Sequence, residues 1–155
     1  MGTTLPISDG VYSKNSNLTI DTATIPSNFS TSHFKTIIFV NGDLTINKNL
    51  ILTSDSTLLF VVSGDIKIDK AVTEIDSALI SDKNIYTAYN ATAGDVTTTL
   101  MLKGVFIADK FVFQRTLQGT DNTKTSSEEF TYEPKYVNAM KTYLGTNAVK
   151  WVQTD

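Results

Sequence analysis

The stretch Ile37-Ile38-Phe39-Val40-Asn41-Gly42-Asp43-Leu44-Thr45-Ile46 returns, after a constant shift, as Leu59-Phe60-Val61-Val62-Ser63-Gly64-Asp65-Ile66-Lys67-Ile68. A looser copy reads Ala78-Leu79-Ile80-Ser81-Asp82-Lys83-Asn84-Ile85-Tyr86, and a fourth Val105-Phe106-Ile107-Ala108-Asp109-Lys110-Phe111-Val112-Phe113. Each copy is an apolar strand, a turn-forming pair and a second short strand. Self-similarity at a spacing of roughly twenty residues marks a chain that coils on itself, coil stacked on coil. The fold expected is therefore all-β: a short right-handed parallel β-helix of about four coils, parallel crossovers being right-handed as a rule. A β-sandwich, whose strands also recur at short spacing, is the alternative.

The second strand of a copy alternates apolar and polar residues, as Leu44-Thr45-Ile46 and Ile66-Lys67-Ile68 do, which gives one dry and one wet face. The first strand is a continuous apolar run, Ile37–Val40 or Leu58–Val62, so both of its faces need cover. A cover is available downstream. Pro134 suits a helix start, Tyr136, Val137, Met140, Tyr143 and Leu144 fall on one helical stripe, and Gly145 suits a stop. The spacing predicts a helix over 134–144 on the outer face of the coils, with Ala148-Val149-Lys150-Trp151-Val152 as a closing strand. Turn-rich residues 1–35 are expected to form an irregular first coil or N-terminal cover, 36–115 the core coils, and 130–155 the helix and closing strand of one domain. Residues 88–99 are read as an insertion between coils, and 116–129 as a polar loop.

Composition narrows the partners. The chain has 155 residues, 41% of them hydrophobic and 19% charged, with a net charge of −3 and no cysteine. The apolar share excludes a disordered chain, and scattered Lys with a single Arg, Arg115, offers no basic patch for nucleic acid. No run approaches the ~20 apolar residues of a membrane span. Without cysteine there is no disulfide framework or thiolate zinc site, and no cofactor or metal is expected. Thr, Ser and Asn take the polar positions, which suits an extracellular or cell-surface domain. Met1-Gly2-Thr3-Thr4-Leu5-Pro6 is no signal peptide, so a targeting segment and further domains are expected elsewhere in a longer exported polypeptide.

The strand–Gly-Asp–strand coils resemble those of bacterial parallel β-helix surface proteins. The segment Phe130-Thr131-Tyr132-Glu133-Pro134-Lys135-Tyr136, closing at Trp151, is similar to the end of a group of uncharacterised exported bacterial β-helix proteins. The resemblance covers about Thr36 to Trp151 and implies a bacterial cell-surface or envelope-associated domain within a longer protein. It carries no active site.

Four turn acids, Asp43, Asp65, Asp82 and Asp109, stand at similar places in the copies. Stacked, they would form a carboxylate row able to bind Ca²⁺ or to serve as an acid/base set on a polysaccharide, with Asp65, Asp82 and Asp109 as catalytic candidates and Lys67, Lys83, Lys103 and Lys110 as binders of an acidic chain. The plainer expectation makes Gly42-Asp43 and Gly64-Asp65 structural turns, their carboxylates accepting nearby backbone N–H groups. Tyr86 and Tyr89 are candidates for stacking on a glycan, while Tyr136 and Tyr143 are expected to seal an end of the solenoid. The lone His33 has no orienting acid in its motif and reads as a solvated loop residue. The function expected is a non-catalytic structural or adhesion module binding a glycan or another surface protein; the alternative is a polysaccharide lyase or hydrolase.

Overall fold

The structure, a computed structural model, describes residues 2, 4–92, 95–119 and 123–144. Two all-parallel sheets face each other across one core. The first holds, in spatial order, β1 (Gly10–Lys14), β3 (Lys35–Val40), β5 (Thr57–Val62), β7 (Glu74–Ser81), β9 (Leu100–Ile107) and β11 (Glu128–Tyr132). The second holds β10 (Lys110–Val112), β8 (Asn84–Tyr86), β6 (Ile66–Ile68), β4 (Leu44–Ile46) and β2 (Leu18–Ile20). Every neighbouring pair is parallel, and odd and even strands alternate between the sheets, so the chain winds as a parallel β-solenoid of about five turns. A sandwich of antiparallel strands is excluded.

Columns of like residues build the interior. Tyr12, Ile38, Phe60, Leu79 and Phe106 stack inward from the first sheet, and Leu18, Leu44, Ile66, Ile85 and Phe111 from the second. Completely burying a Leu, Ile or Phe contributes about 1.5–3 kcal/mol, so these columns are the main source of stability. A third side is sketched by single bridges, Leu50 to Ile75 and Val96 to Leu117. The second bridge places a buried residue inside each of the two segments read as loops.

The solenoid has more turns than the about four expected because residues 1–35 contain a regular coil. β1 pairs with β3 from Gly10↔Thr36 to Lys14↔Val40, and β2 with β4 from Leu18↔Leu44 to Ile20↔Ile46. Only Val11 and Tyr12 are apolar in β1, too few to announce a strand. An irregular cover does exist, but it is confined to the stretch after β2 and to Leu5, where Phe29 packs on Phe34 with ring centroids 5.5 Å apart over the N-terminal end of the core.

The helix α1 spans Pro134–Leu144, as its stripe predicts. Tyr136 and Ala139 are buried on the outward column Ile37–Leu59–Ala78, with Val61, Val105, Met140 and Tyr143 around them. The Tyr143 hydroxyl donates to the Lys35 carbonyl at 2.8 Å. Both tyrosines thus seal the flank of the first sheet and not an end of the solenoid, because the helix runs across the strands from β9 towards β3. The expected closing strand Ala148–Val152 lies outside the described residues.

Close approach of neighbouring coils demands glycine at two places. At Gly104, within β9 and with φ of 157°, a Cβ would run into the Ser77 carbonyl. At Gly64 a Cβ would collide with the Asp43 carboxylate and the Gly42 carbonyl. The Gly-Asp corner is so closely stacked that only hydrogen fits there.

Candidate functional site

The corner before the second sheet carries a ladder of side chains. The Asp43 N–H donates to Asn17 Oδ1 at 2.9 Å, the Asp65 N–H to Asp43 Oδ1 at 3.0 Å, and the Asn84 N–H to Asp65 Oδ1 at 3.2 Å. Asn84 Nδ2 adds a second bond to Asp65 Oδ1 at 2.9 Å. Each side chain therefore satisfies a backbone donor one coil further on, at a corner where no strand partner is available. Lys67 Nζ lies 2.8 Å from Asp43 Oδ2. This hydrogen bond, and then that from the Asp65 N–H, hold the Asp43 carboxyl below the usual aspartate range, while the same pairing raises Lys67.

The four acids do not form one row. Register puts Asn84, two residues beyond Asp82, in the column of Asp43 and Asp65, because the Leu59-to-Ala78 coil is shorter than the Lys35-to-Thr57 coil. Continuing the register, Asp82 falls beside Ser63 in the neighbouring column, while Asp109, its N–H on the Lys83 carbonyl at 2.9 Å, falls opposite Lys83 when the β8–β10 register is carried back one residue. Asp82 and Asp109 are exposed, and their carboxylates have no hydrogen-bond or ion-pair partner among the described residues. The proposed cationic binders are also divided. Lys67 pairs with Asp43 at the corner, whereas Lys103 pairs with Glu74 at 2.5 Å on the first sheet, leaving Lys83 and Lys110 beside the two free acids. Among the described residues, no group of three His, Cys, Asp or Glu could hold a metal ion. No described helix is long and apolar enough to cross a membrane.

Tyr86 stands on the outward face of β8 in register with Lys67 and Val112, half-buried. Tyr89 is 38% exposed, with its N–H on the Ile68 carbonyl at 3.1 Å. The two tyrosines line neither of the cavities described next. His33 is exposed, its Nδ1 3.4 Å from Thr53 Oγ1.

Two concave features were not legible as sites in the sequence. One is a groove of about 730 Å³ between the 22–30 loop and the 47–51 segment. Both walls are braced. Asp21 Oδ1 accepts the N–H groups of Ala23 at 2.9 Å and Thr24 at 3.0 Å, and Phe29 anchors its loop in the core. Opposite, Asn49 Oδ1 accepts the Thr73 N–H at 2.9 Å and Asn49 Nδ2 reaches Thr73 Oγ1 at 3.0 Å.

The other is an aromatic hollow of about 490 Å³ at the C-terminal end. Phe130 meets Phe106, Phe111 and Phe113 edge-on at 5.6, 5.9 and 6.1 Å, so it closes the end of the inward columns. Phe113 and Tyr132 remain 61% and 65% exposed.

Arg115, 4% exposed, is a further residue that sequence reasoning passed over. Its guanidinium donates to the carbonyls of Thr98 at 2.9 Å, Lys70 at 3.1 Å and Val72 at 2.7 Å. Burial lowers its pKa, and Glu128 and Asp69 act in the opposite sense. The arginine ties three chain segments together and offers nothing to solvent. Compared with known protein families, curated proteins and solved structures, the chain has no significant match.

Proposed function

We propose that the chain is a non-catalytic, extracellular or cell-surface β-solenoid module, a rigid spacer or adhesive element within a longer exported polypeptide. The observation that carries this reading is the corner ladder. Asp43 and Asp65, the acids best placed by the repeat, hold backbone N–H groups and so serve the coil geometry. A polar Thr/Ser/Asn surface and the strap of α1 over the first sheet fit a domain built for stiffness and display.

A second reading, a polysaccharide-acting enzyme, draws on one specific feature: Asp82 and Asp109 lie near the same corner of adjacent coils, with both carboxylates unpaired among the described residues. Paired carboxylates at suitable separation are the basis of glycoside hydrolysis. The experiment that decides is a glycan array run beside a polysaccharide depolymerisation screen. Binding without turnover supports the module. Turnover abolished by Asp82→Asn or Asp109→Asn overturns it.

A further inference from the structure

The hydroxyl groups around the 22–32 loop divide into two sets. Thr24 Oγ1 donates to the Asp21 carbonyl at 3.1 Å, and Thr31 and Ser32 to the Asn28 carbonyl at 3.1 and 2.8 Å. Those three hold the loop in shape. Thr22, Ser27 and Ser30 line the groove instead, and their hydroxyls have no partner among the described residues. Among the described residues, Lys48 on the facing wall is the only charged one in the lining, and its ammonium is likewise unpaired. Between these polar groups lie the aliphatic surfaces of Ile25, Pro26 and Ile51, the last 43% exposed.

We propose that this groove is a saccharide site, and that it takes a short glycan bearing a carboxylate, such as a uronate. Three neutral hydroxyls opposite one cation suit a ligand rich in hydroxyl groups that presents one carboxylate to the groove. A phosphate, which can carry two negative charges, would meet a single cation here. The aliphatic strip suits the C–H face of a sugar ring, and the volume lies within the usual range of small-ligand sites. Both walls are fixed by their own hydrogen bonds before any ligand arrives, which lowers the ordering cost of binding. Lys48 contributes a charge-assisted hydrogen bond, stronger than the neutral ones around it, and so selects the acid over the neutral sugar. The assignment deepens the adhesive reading above by giving it a ligand class and a location apart from Tyr86 and Tyr89.

The test is an amide-resolved NMR titration of the whole chain with digalacturonic acid and with neutral galactobiose. The expected result is shifts confined to residues 22–30 and 47–51, with the acid binding about tenfold more tightly. Lys48→Ala should remove that preference and leave galactobiose binding in place. Ser27→Trp, on an exposed loop position, should block both sugars without lowering the melting temperature. Shifts that fall on Tyr86 and Tyr89, or no shift in the groove with either sugar, overturn the site. Equal affinity for both sugars in the unsubstituted protein overturns the role of Lys48. None of these outcomes touches the non-catalytic reading, which stands or falls on turnover in the depolymerisation screen.

Discussion

The Asp43 carboxylate accepts the backbone N–H of Asp65, its counterpart one coil further on, at 3.0 Å, while its other oxygen takes the Lys67 ammonium at 2.8 Å. A pair of equivalent residues that would repel as two bare charges is joined because the donor is the main chain of one and the acceptor the side chain of the other. The arrangement repeats with Asn17 below and Asn84 above.

Asp43→Ala should therefore cost about 1–2 kcal/mol by leaving a corner N–H without its acceptor. Asp43→Asn should cost less, since Asn17 fills the same place in the column with an amide oxygen. Urea unfolding at neutral pH checks both. The pH dependence has a definite sign. A carboxyl held below its ordinary range contributes stability that is complete above the usual aspartate value of 3.8 and lost as pH falls through the lowered folded-state value. Below about pH 4 the Asn variant should lose stability less steeply than the native chain.

Gly104→Ala should destabilise the fold by more than about 2 kcal/mol. The added Cβ meets the Ser77 carbonyl, which is backbone and has no room to yield, and the φ of 157° is itself unfavourable for an L side chain. Thermal melting of the variant is the measurement, and an unchanged melting temperature would contradict the close approach of β7 and β9.

The strap helix allows two opposite expectations. Ala139→Asp places a charge over Leu59 and Ala78 and should cost several kcal/mol. Tyr136→Phe should be neutral or stabilising, because the Tyr136 hydroxyl is buried with no hydrogen-bond partner. Burial raises its pKa, with Asp76 and Glu133 adding to the effect, so the group stays neutral across the working range. Melting curves should show a large drop for Ala139→Asp and no drop for Tyr136→Phe.

Arg115→Ala should cost about 2–4 kcal/mol, since three carbonyls from two neighbouring coils lose their donor together. Arg115→Lys should recover only part of this, a single ammonium being unable to reproduce the spread of the planar guanidinium. Chemical denaturation of the two variants compares them directly.

The parts of the molecule written in local patterns were readable in advance. Alternation in Leu44-Thr45-Ile46, the doubly apolar run Ile37–Val40 and the stripe of 134–144 each follow from the geometry of a single element. β1 escaped because its residues satisfy few apolar contacts of their own and depend on β3 for their pairing. β11 escaped because Glu128 and Glu129 hide a strand whose key residue, Phe130, is recognisable only once Phe106 and Phe111 lie beneath it.

Repetition determined that this chain winds into stacked parallel coils, since an apolar face recurring at coil length can be buried in few other ways, and the stripe of 134–144 determined the helix over one sheet. Which residues share a column was decided by tertiary structure. Coil length varies from the Leu59–Ala78 step to the Leu100–Glu128 step, and each change slides every later residue past its neighbours. Asp82 resembles Asp65 by position after an apolar strand, yet the inward columns Phe60–Leu79 and Ile66–Ile85 set the register. Burial of those four side chains outweighs the match of two exposed turn acids, so Asn84 completes the ladder and Asp82 stands beside it.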